Sequence, residues 1–598
     1  LNAIAESHCS AKEGLPRPWE GSGIEGLNAC SGNYVTRISY LRHNSQGQLV
    51  DGAFGYGFQV SIPSFVIQGS MEKINGDGSR IPFVASGAPS PLGGQKYVPQ
   101  IARLSSNRVS KLGNLIVEYT PGLHFFMYQP LDGQPSNEFV LTKVISHAGK
   151  EVLRLDWLDA ERPLAIHDLL KETTIHFSYA GNPSRLQQIS YPDGVTEVFQ
   201  YISGNLSKVS ALRAGVSQTE QDFAYDALHR LTCISDRITN AAGFRNNAGT
   251  CASQSQATFR FGYTNGRLTS LKRPDGFLKT VAYTSTSTTV TDSLSRGVKF
   301  VYQNGRVAQE LSLPLQLATQ IEHFAYSNGT EQMNILSPYG ELEVVSFDER
   351  GNLLSYQDKT GITSVFTYDG NNRVKSASRN GLSKSFNYML TANGAEILVT
   401  TSRGDSFRHS FDQYAQVTGL AETLWDADGS SSQRLLQTTY AAVGSPTSLY
   451  PVGFSFQNEL GQSRTTTFQY SAAKRLAVAQ THNADGETAS VSFDDNGNMV
   501  GKTYFPSEAY GHAAETYYYN AVGAAEGGSH SAADGSVIRD LTVTFHSGDL
   551  NHATLSISGA QTETHEFRMD SVTGQLKDYI KTASAFVTNL IQNFVWME

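Results

Sequence analysis

Charge is scarce in this chain. Only 17% of its 598 residues are charged, the formal net charge is −9, and no run of five or six like charges occurs. That excludes an electrostatic nucleic-acid binder, whose affinity rests on clustered Lys and Arg, and a charged binding tail. Long apolar runs are also missing. A helical membrane span takes about eighteen consecutive apolar residues. The nearest stretch, ASAFVTNLIQNFVWME at 583–598, is interrupted by Thr588, Asn589, Gln592 and Asn593. No basic n-region followed by an apolar h-region opens the chain, so no signal peptide is expected within these residues, and one removed upstream stays open.

Cysteine is nearly absent too. The four cysteines fall into two local pairs, Cys9 with Cys30 and Cys233 with Cys251. Neither pair has CxxC spacing, which argues against zinc and against thioredoxin-like redox chemistry. An even count in local pairs predicts two short-loop disulfides and an oxidising compartment, secreted or at the cell surface. Four buried free thiols are the alternative.

What the chain has in plenty is Gly, at 54 residues, and Tyr and Phe, at 28 and 30. That is the composition of an all-β protein with many turns. A short phrase recurs along it: an aromatic, then Asp or a polar residue, two more polar residues, Gly or Asn, and an apolar residue. It reads YISGNL from Tyr201, YDALHRL from Tyr225, YTNGRL from Tyr263, YQNGRV from Tyr302, FDERGNL from Phe347, YDGNNRV from Tyr368, FDQYAQV from Phe411, YSAAKRL from Tyr470 and FDDNGNM from Phe493. Phe347, Tyr368, Tyr388 and Phe411 are spaced by twenty to twenty-three residues.

Residues before each aromatic alternate in polarity, a strand signature. Asp226, Asp348, Asp369 and Asp494 can each bond their own backbone and start a turn, and Gly351 and Gly497 suit positive φ. A second turn signal falls inside the unit, as in YPDGVT at 191–196, RPDGFL at 273–278 and NADGET at 483–488. Each unit is then two strands and two turns. One such hairpin is unstable alone, so neighbours must share a sheet.

These residues closely resemble the RHS, or YD-repeat, family, over roughly 150–598. The segment FGYGFQVSIPSF at 54–65, followed by NGDGSRIPF at 75–83, is similar to the part that opens such repeats. The resemblance implies an all-β hairpin array forming one long spiralling antiparallel sheet closed into a hollow shell, with a C-terminal effector or toxin as cargo. Three stretches are expected: an N-terminal segment at 1–32 stapled by a disulfide, a β-rich start of the shell at 33–150, and YD repeats over 151–598 that end in mid-repeat, as one stretch of a longer chain. Related shells carry a DPxG-like core that releases the effector with paired aspartates. No Asp-Pro dipeptide exists here, so no autoproteolytic residue is carried over. The implied partners are the chain's own cargo domain, a secretion or delivery complex and, on the alternative reading of an adhesion scaffold without cargo, cell-surface glycans.

No catalytic constellation survives comparison with plainer readings. The fifteen histidines are scattered, and His546, His552 and His565 lie on strands where they need not converge. Ser471 and Lys474 match Ser-x-x-Lys but occupy a YD turn, where the helix that pattern needs is implausible. FDDNGN lacks the distal Glu of an EF-hand. No enzyme activity, cofactor or metal is therefore expected. The aromatics are expected to pack between successive units. TYYYN at 516–520 is the best exposed aromatic run, and NAVGAAEGGSHSAADGS at 520–536 reads as a mobile loop.

Overall fold

The computed structural model describes residues 27–28, 33–34, 51–56 and 62–582, apart from 76–79, 91–92, 101–107, 120–122, 132–136, 193, 214, 239–250, 252–257, 274–276, 304–305, 327–329, 426–429, 443–449, 473–475, 495–497, 509–512, 520–524, 546–551, 560–562 and 570–575. Strands make up more than half of the chain, and the only helix among the described residues is one 3-10 turn at Pro506–Glu508. The fold is all-β and antiparallel, as the turn-rich, aromatic-rich composition predicts. No helix among the described residues is long and apolar enough to cross a membrane. Two units are distinguished: 1–209 with 222–234 and 259–463, and 210–221 with 235–258 and 464–598.

The first unit opens with two minimal hairpins, β1 (Leu27–Asn28) with β2 (Asn33–Tyr34) and β3 (Asp51–Gly52) with β4 (Gly55–Tyr56). Then come β5 (Ser64–Gln68), β6 (Ser70–Ile74), β7 (Arg80–Pro89), β8 (Gln95–Pro99), β9 (Arg108–Leu112), β10 (Leu115–Tyr119), β11 (His124–Gln129) and β12 (Glu138–Ser146). Each pairs with the next, and β12 returns to β5 with Phe139 opposite Phe65. These strands close a barrel. Its interior is apolar and tightly filled, with Phe65, Met71, Ile81, Phe83, Val109, Ile116, Tyr128 and Phe139 all nearly inaccessible. The Phe65 and Tyr128 rings meet edge to face at 4.8 Å. One ion pair is sealed in with them. Lys73 Nζ donates to Glu118 Oε1 at 2.6 Å, and Tyr128 Oη donates to Glu118 Oε2 at 2.8 Å.

β12 is shared. Along one side it pairs with β11; along the other, Glu138–Val140 pair with β5 while Lys143–Ile145 pair with the strand Glu151–Asp159. From that strand the chain runs on as a meander of hairpins, and within each unit consecutive strands pair with one another. Since strands alternate direction, every second turn falls on the same edge of its sheet, and the YD phrase marks one of the two edges.

Early in the meander, one face of the sheet is buried. Leu186, Phe199, Leu206, Phe223, Leu231, Phe261, Leu268, Val281, Phe300, Val307, Ile321 and Met333 form a continuous apolar row. Further on, burial evens out. Leu353–Gln357, Leu476–His482 and Thr488–Phe493 are half-buried at every position. A sheet with one covered face would show buried and exposed residues in alternation. These three strands show no such alternation. The second unit has a small cluster of its own, Leu541, Leu555 and Ile557 against Val543 and Phe567.

The turns obey one rule. Asp348 N donates to Asn352 O at 2.9 Å, Gly351 N donates to Asp348 O at 3.0 Å, and Gly351 has φ +80°. A β-branched side chain is strained at that φ, so Gly351→Val should lower stability by about 1 kcal/mol or more; urea unfolding checks this, and a wild-type midpoint would contradict it. Gly497 lies outside the described residues.

One expectation fails. The stretch 520–536 is not a loop throughout: Ala525–Ser531 is a strand and 532–536 a tight turn with Gly535 at φ +82°. Gly527 and Gly528 pair with Tyr518 and Tyr517. A glycine opposite an aromatic leaves room for the ring to lie across it, which offsets the low strand propensity of glycine.

Candidate functional site

The recurring aspartate is a clamp. Asp369 Oδ1 accepts from Asn371 N at 2.8 Å and Arg373 N at 3.0 Å, and its Oδ2 accepts from Arg373 Nε at 2.7 Å. Asp226 does the same with Leu228 N, Arg230 N and Arg230 Nε. Asp348 uses Asn352 Nδ2 at 2.8 Å, and Asp494 uses Asn498 Nδ2 at 3.0 Å. Asp494 Oδ1 also accepts from Asn498 N at 2.9 Å, a side chain to backbone bond.

The aromatic links one unit to the last. Tyr368 Oη donates to Leu353 O at 2.9 Å and Tyr388 Oη to Val374 O at 3.0 Å. Each acceptor is the apolar residue that closes the preceding phrase. Where an arginine stands just before that closing position, it completes the link. Arg373 lies over the Tyr388 ring at 4.4 Å, Arg230 over Tyr263 at 5.0 Å and Arg267 over Tyr283 at 5.2 Å. At Arg373 and Arg230 one guanidinium therefore holds its own turn and stacks on the next repeat's aromatic. Tyr225 packs against the apolar row and Phe347 sits half-buried at a strand end. The aromatics are packing residues between units, as expected; Tyr518 of TYYYN is the exposed member of its run, 56% accessible.

Burial alone would push the Asp369 carboxyl up, but the Arg373 amide and guanidinium outweigh it and hold it below its ordinary value. At Asp226 the Arg230 side chain and amide outweigh burial in the same way. A carboxyl depressed on folding stabilises above its unfolded value, near 4, and loses that contribution as pH falls through the lower folded value. Stability should therefore drop from about pH 4 downward, with a shallower drop in Asp369→Asn. Urea midpoints measured from neutral to acid pH check this; a flat profile through that window would contradict it.

Within the first unit, the barrel docks on this row of turns. Arg108 and Tyr119 are register partners on its outer face, with Arg108 over the Tyr119 ring at 5.4 Å. Arg108 Nη1 donates to Asn371 Oδ1, Ser146 Oγ donates to Gln413 O at 2.6 Å, and Tyr414 packs against the barrel core. Leu186 N donates to Ala53 O at 2.8 Å, and Phe54 joins the apolar row. This explains why β9 and β10 are buried on both faces. The seam is crowded with positive charge: burial, then Arg350, pulls the Lys96 ammonium down.

Cys233 and Cys251 are both disulfide-bonded and buried, as expected. Cys9 and Cys30 lie outside the described residues, as do His546 and Lys474. His565 is buried beside Glu563 at 3.2 Å. No group of three His, Cys, Asp or Glu among the described residues has metal-binding geometry.

One titratable cluster among the described residues was missed by sequence reasoning. In the second unit Lys502, Glu515, His530 and Arg539 are successive register partners across four strands. Tyr504 Oη donates to Glu515 Oε1 at 2.7 Å and Tyr517 Oη to Oε2. Burial opposes ionisation of Glu515, but the Tyr517 and Tyr504 bonds prevail and hold its carboxyl low. An ionised carboxylate with both oxygens engaged ties strands together and is a poor general base.

No family model matches the chain. No curated protein matches it either. Among solved structures, it is similar to the crystal structure of TcdB2-TccC3-TEV, with 10% identity and a TM-score of 0.27 over 89% of this chain and 30% of that one. It is also similar to a porin-like protein from Bacteroides uniformis, with 10% identity and a TM-score of 0.16 over 40% of this chain and 92% of that one.

Proposed function

We propose that the chain is a wall segment of an RHS-type repeat shell that encloses or presents a C-terminal effector, in an oxidising setting outside the cell, with no catalysis of its own. The observation that carries this reading is the even half-burial of Leu353–Gln357, Leu476–His482 and Thr488–Phe493. A sheet whose two faces are covered equally, and only in part, suits a container wall and is poor material for a solid core. The unit-to-unit links of Tyr, Arg and Asp supply the stiffness that such a single layer needs. The disulfide-bonded state of Cys233 and of Cys251 supports the oxidising setting.

Small-angle scattering tests the reading. A solid globule of this length has a radius of gyration of about 25 Å. A wall around solvent should exceed that figure. A value at or below it would mean that the sheet packs on a solid core, and enclosure would lose its basis.

A further inference from the structure

Three arginines of the first unit gather on a single turn, the one that Asp369 closes. From the barrel, Arg108 Nη1 donates to Asn371 Oδ1. From the preceding YD turn, Arg350 Nη1 donates to Asn372 Oδ1 at 3.4 Å. Arg373 spends Nε and Nη2 on Asp369 Oδ2, both at 2.7 Å. Each guanidinium keeps one donor in reserve. Arg108 Nη2, Arg350 Nε and Arg373 Nη1 are buried and meet no hydrogen-bond acceptor among the described residues. Arg108 as a whole is 6% accessible, and the Arg373 side chain 11%.

A buried donor without an acceptor is costly, and more so on a charged group. Three of them around one turn need a common explanation. The local charge points the same way. Burial pulls the Arg108 guanidinium down; Tyr119 and Asp369 oppose this, while Arg350 and Arg373 reinforce it. Lys96 brings a fourth cation within reach of Arg350 and Arg108. The nearby aspartates are already engaged. Asp348 accepts from Arg350 N, Asn352 N and Asn352 Nδ2, and Asp369 accepts from Asn371 N, Arg373 N and the Arg373 guanidinium. Glu349 is exposed. The turn therefore has a surplus of buried, positively charged donors.

We propose that this turn binds one small tetrahedral oxyanion, inorganic phosphate or sulfate, through Arg108, Arg350 and Arg373. Such an ion offers several acceptor oxygens at once, and guanidinium N–H groups meet them in charge-assisted hydrogen bonds. Burial of the donors leaves no path for the organic arm of a phosphate ester, so the free ion is the ligand. One donor belongs to the barrel and two to the turn row. The bound ion thus fastens one to the other. Three charge-assisted bonds, each worth about tenfold in affinity, put the dissociation constant at about 1 mM or tighter. The site rests on these contacts alone and holds whether or not the sheet surrounds a cargo.

Hydrogen exchange of β9 in the intact chain tests it, at rising inorganic phosphate or sulfate and constant ionic strength made up with sodium chloride. A ligand held only by the closed seam raises protection in proportion to its concentration once that exceeds the dissociation constant. Protection of β9 should then rise about tenfold for each tenfold in phosphate. The strand Leu476–His482, in the second unit, should not follow. Arg108→Gln should move the phosphate dependence to concentrations about tenfold higher or more. Arg350→Gln should do the same, and it leaves its own turn closed, since Asp348 holds the backbone amides of Arg350 and Asn352. Four results would overturn the site: the same β9 protection in phosphate, sulfate and chloride; equal gains in both strands, the mark of a general salt effect; a wild-type phosphate dependence in both variants; or glycerol phosphate acting at lower concentration than inorganic phosphate.

Discussion

Glu118→Gln should cost the N-terminal barrel about 3–5 kcal/mol. Glu118 is 2% accessible and lies between Lys73 and Tyr128 in an otherwise apolar interior. The substitution nearly preserves shape but leaves the Lys73 ammonium sealed in without a counter-charge. The penalty comes from that stranded charge, since a buried pair is not itself strongly stabilising relative to apolar residues. The double change Lys73→Met with Glu118→Leu should therefore recover most of the loss. Hydrogen exchange of β6 and β10 reads the barrel separately from the rest of the chain. If Glu118→Gln leaves that protection within about 1 kcal/mol of wild type, the ion pair is not isolated as described.

Replacing both Cys233 and Cys251 by serine should cost about 3 kcal/mol, from the entropy that a loop of some eighteen residues regains in the unfolded chain. Both positions are buried, at 5% and 4% accessibility, so the serines add a smaller desolvation cost. Denaturant midpoints with and without reductant measure the same quantity on the wild type. A reductant-insensitive midpoint would reject both the staple and the oxidising setting inferred from it.

What could be read from sequence was local. Asp348, Gly351 and Asp369 announce their turns because the turn geometry is satisfied within five residues. The strand before Tyr368 shows its alternation in the same window. The arginines of the ladder were present in the same phrases, before Leu231, Leu268 and Val374, but their partners Tyr263, Tyr283 and Tyr388 lie one unit on.

Barrel closure joins Glu138 to Val66, and its ion pair spans forty-five positions. No pattern within a strand records either. The strand at 525–531 failed for a related cause. Local glycine and alanine content argues for a loop, and the opposing tyrosines overrule it.

The division of β12 between two partners also bears on how the repeats find their phase. A strand that slips by one residue turns every side chain to the wrong face, and near-identical hairpins offer little to prevent it. β12 enters the meander already fixed by β5 and β11. The strand Glu151–Asp159 takes its alignment from that fixed edge, and each later hairpin copies its predecessor. The barrel is thus a template that sets the phase of the first unit's repeats, and chains lacking it would have many equivalent ways to begin.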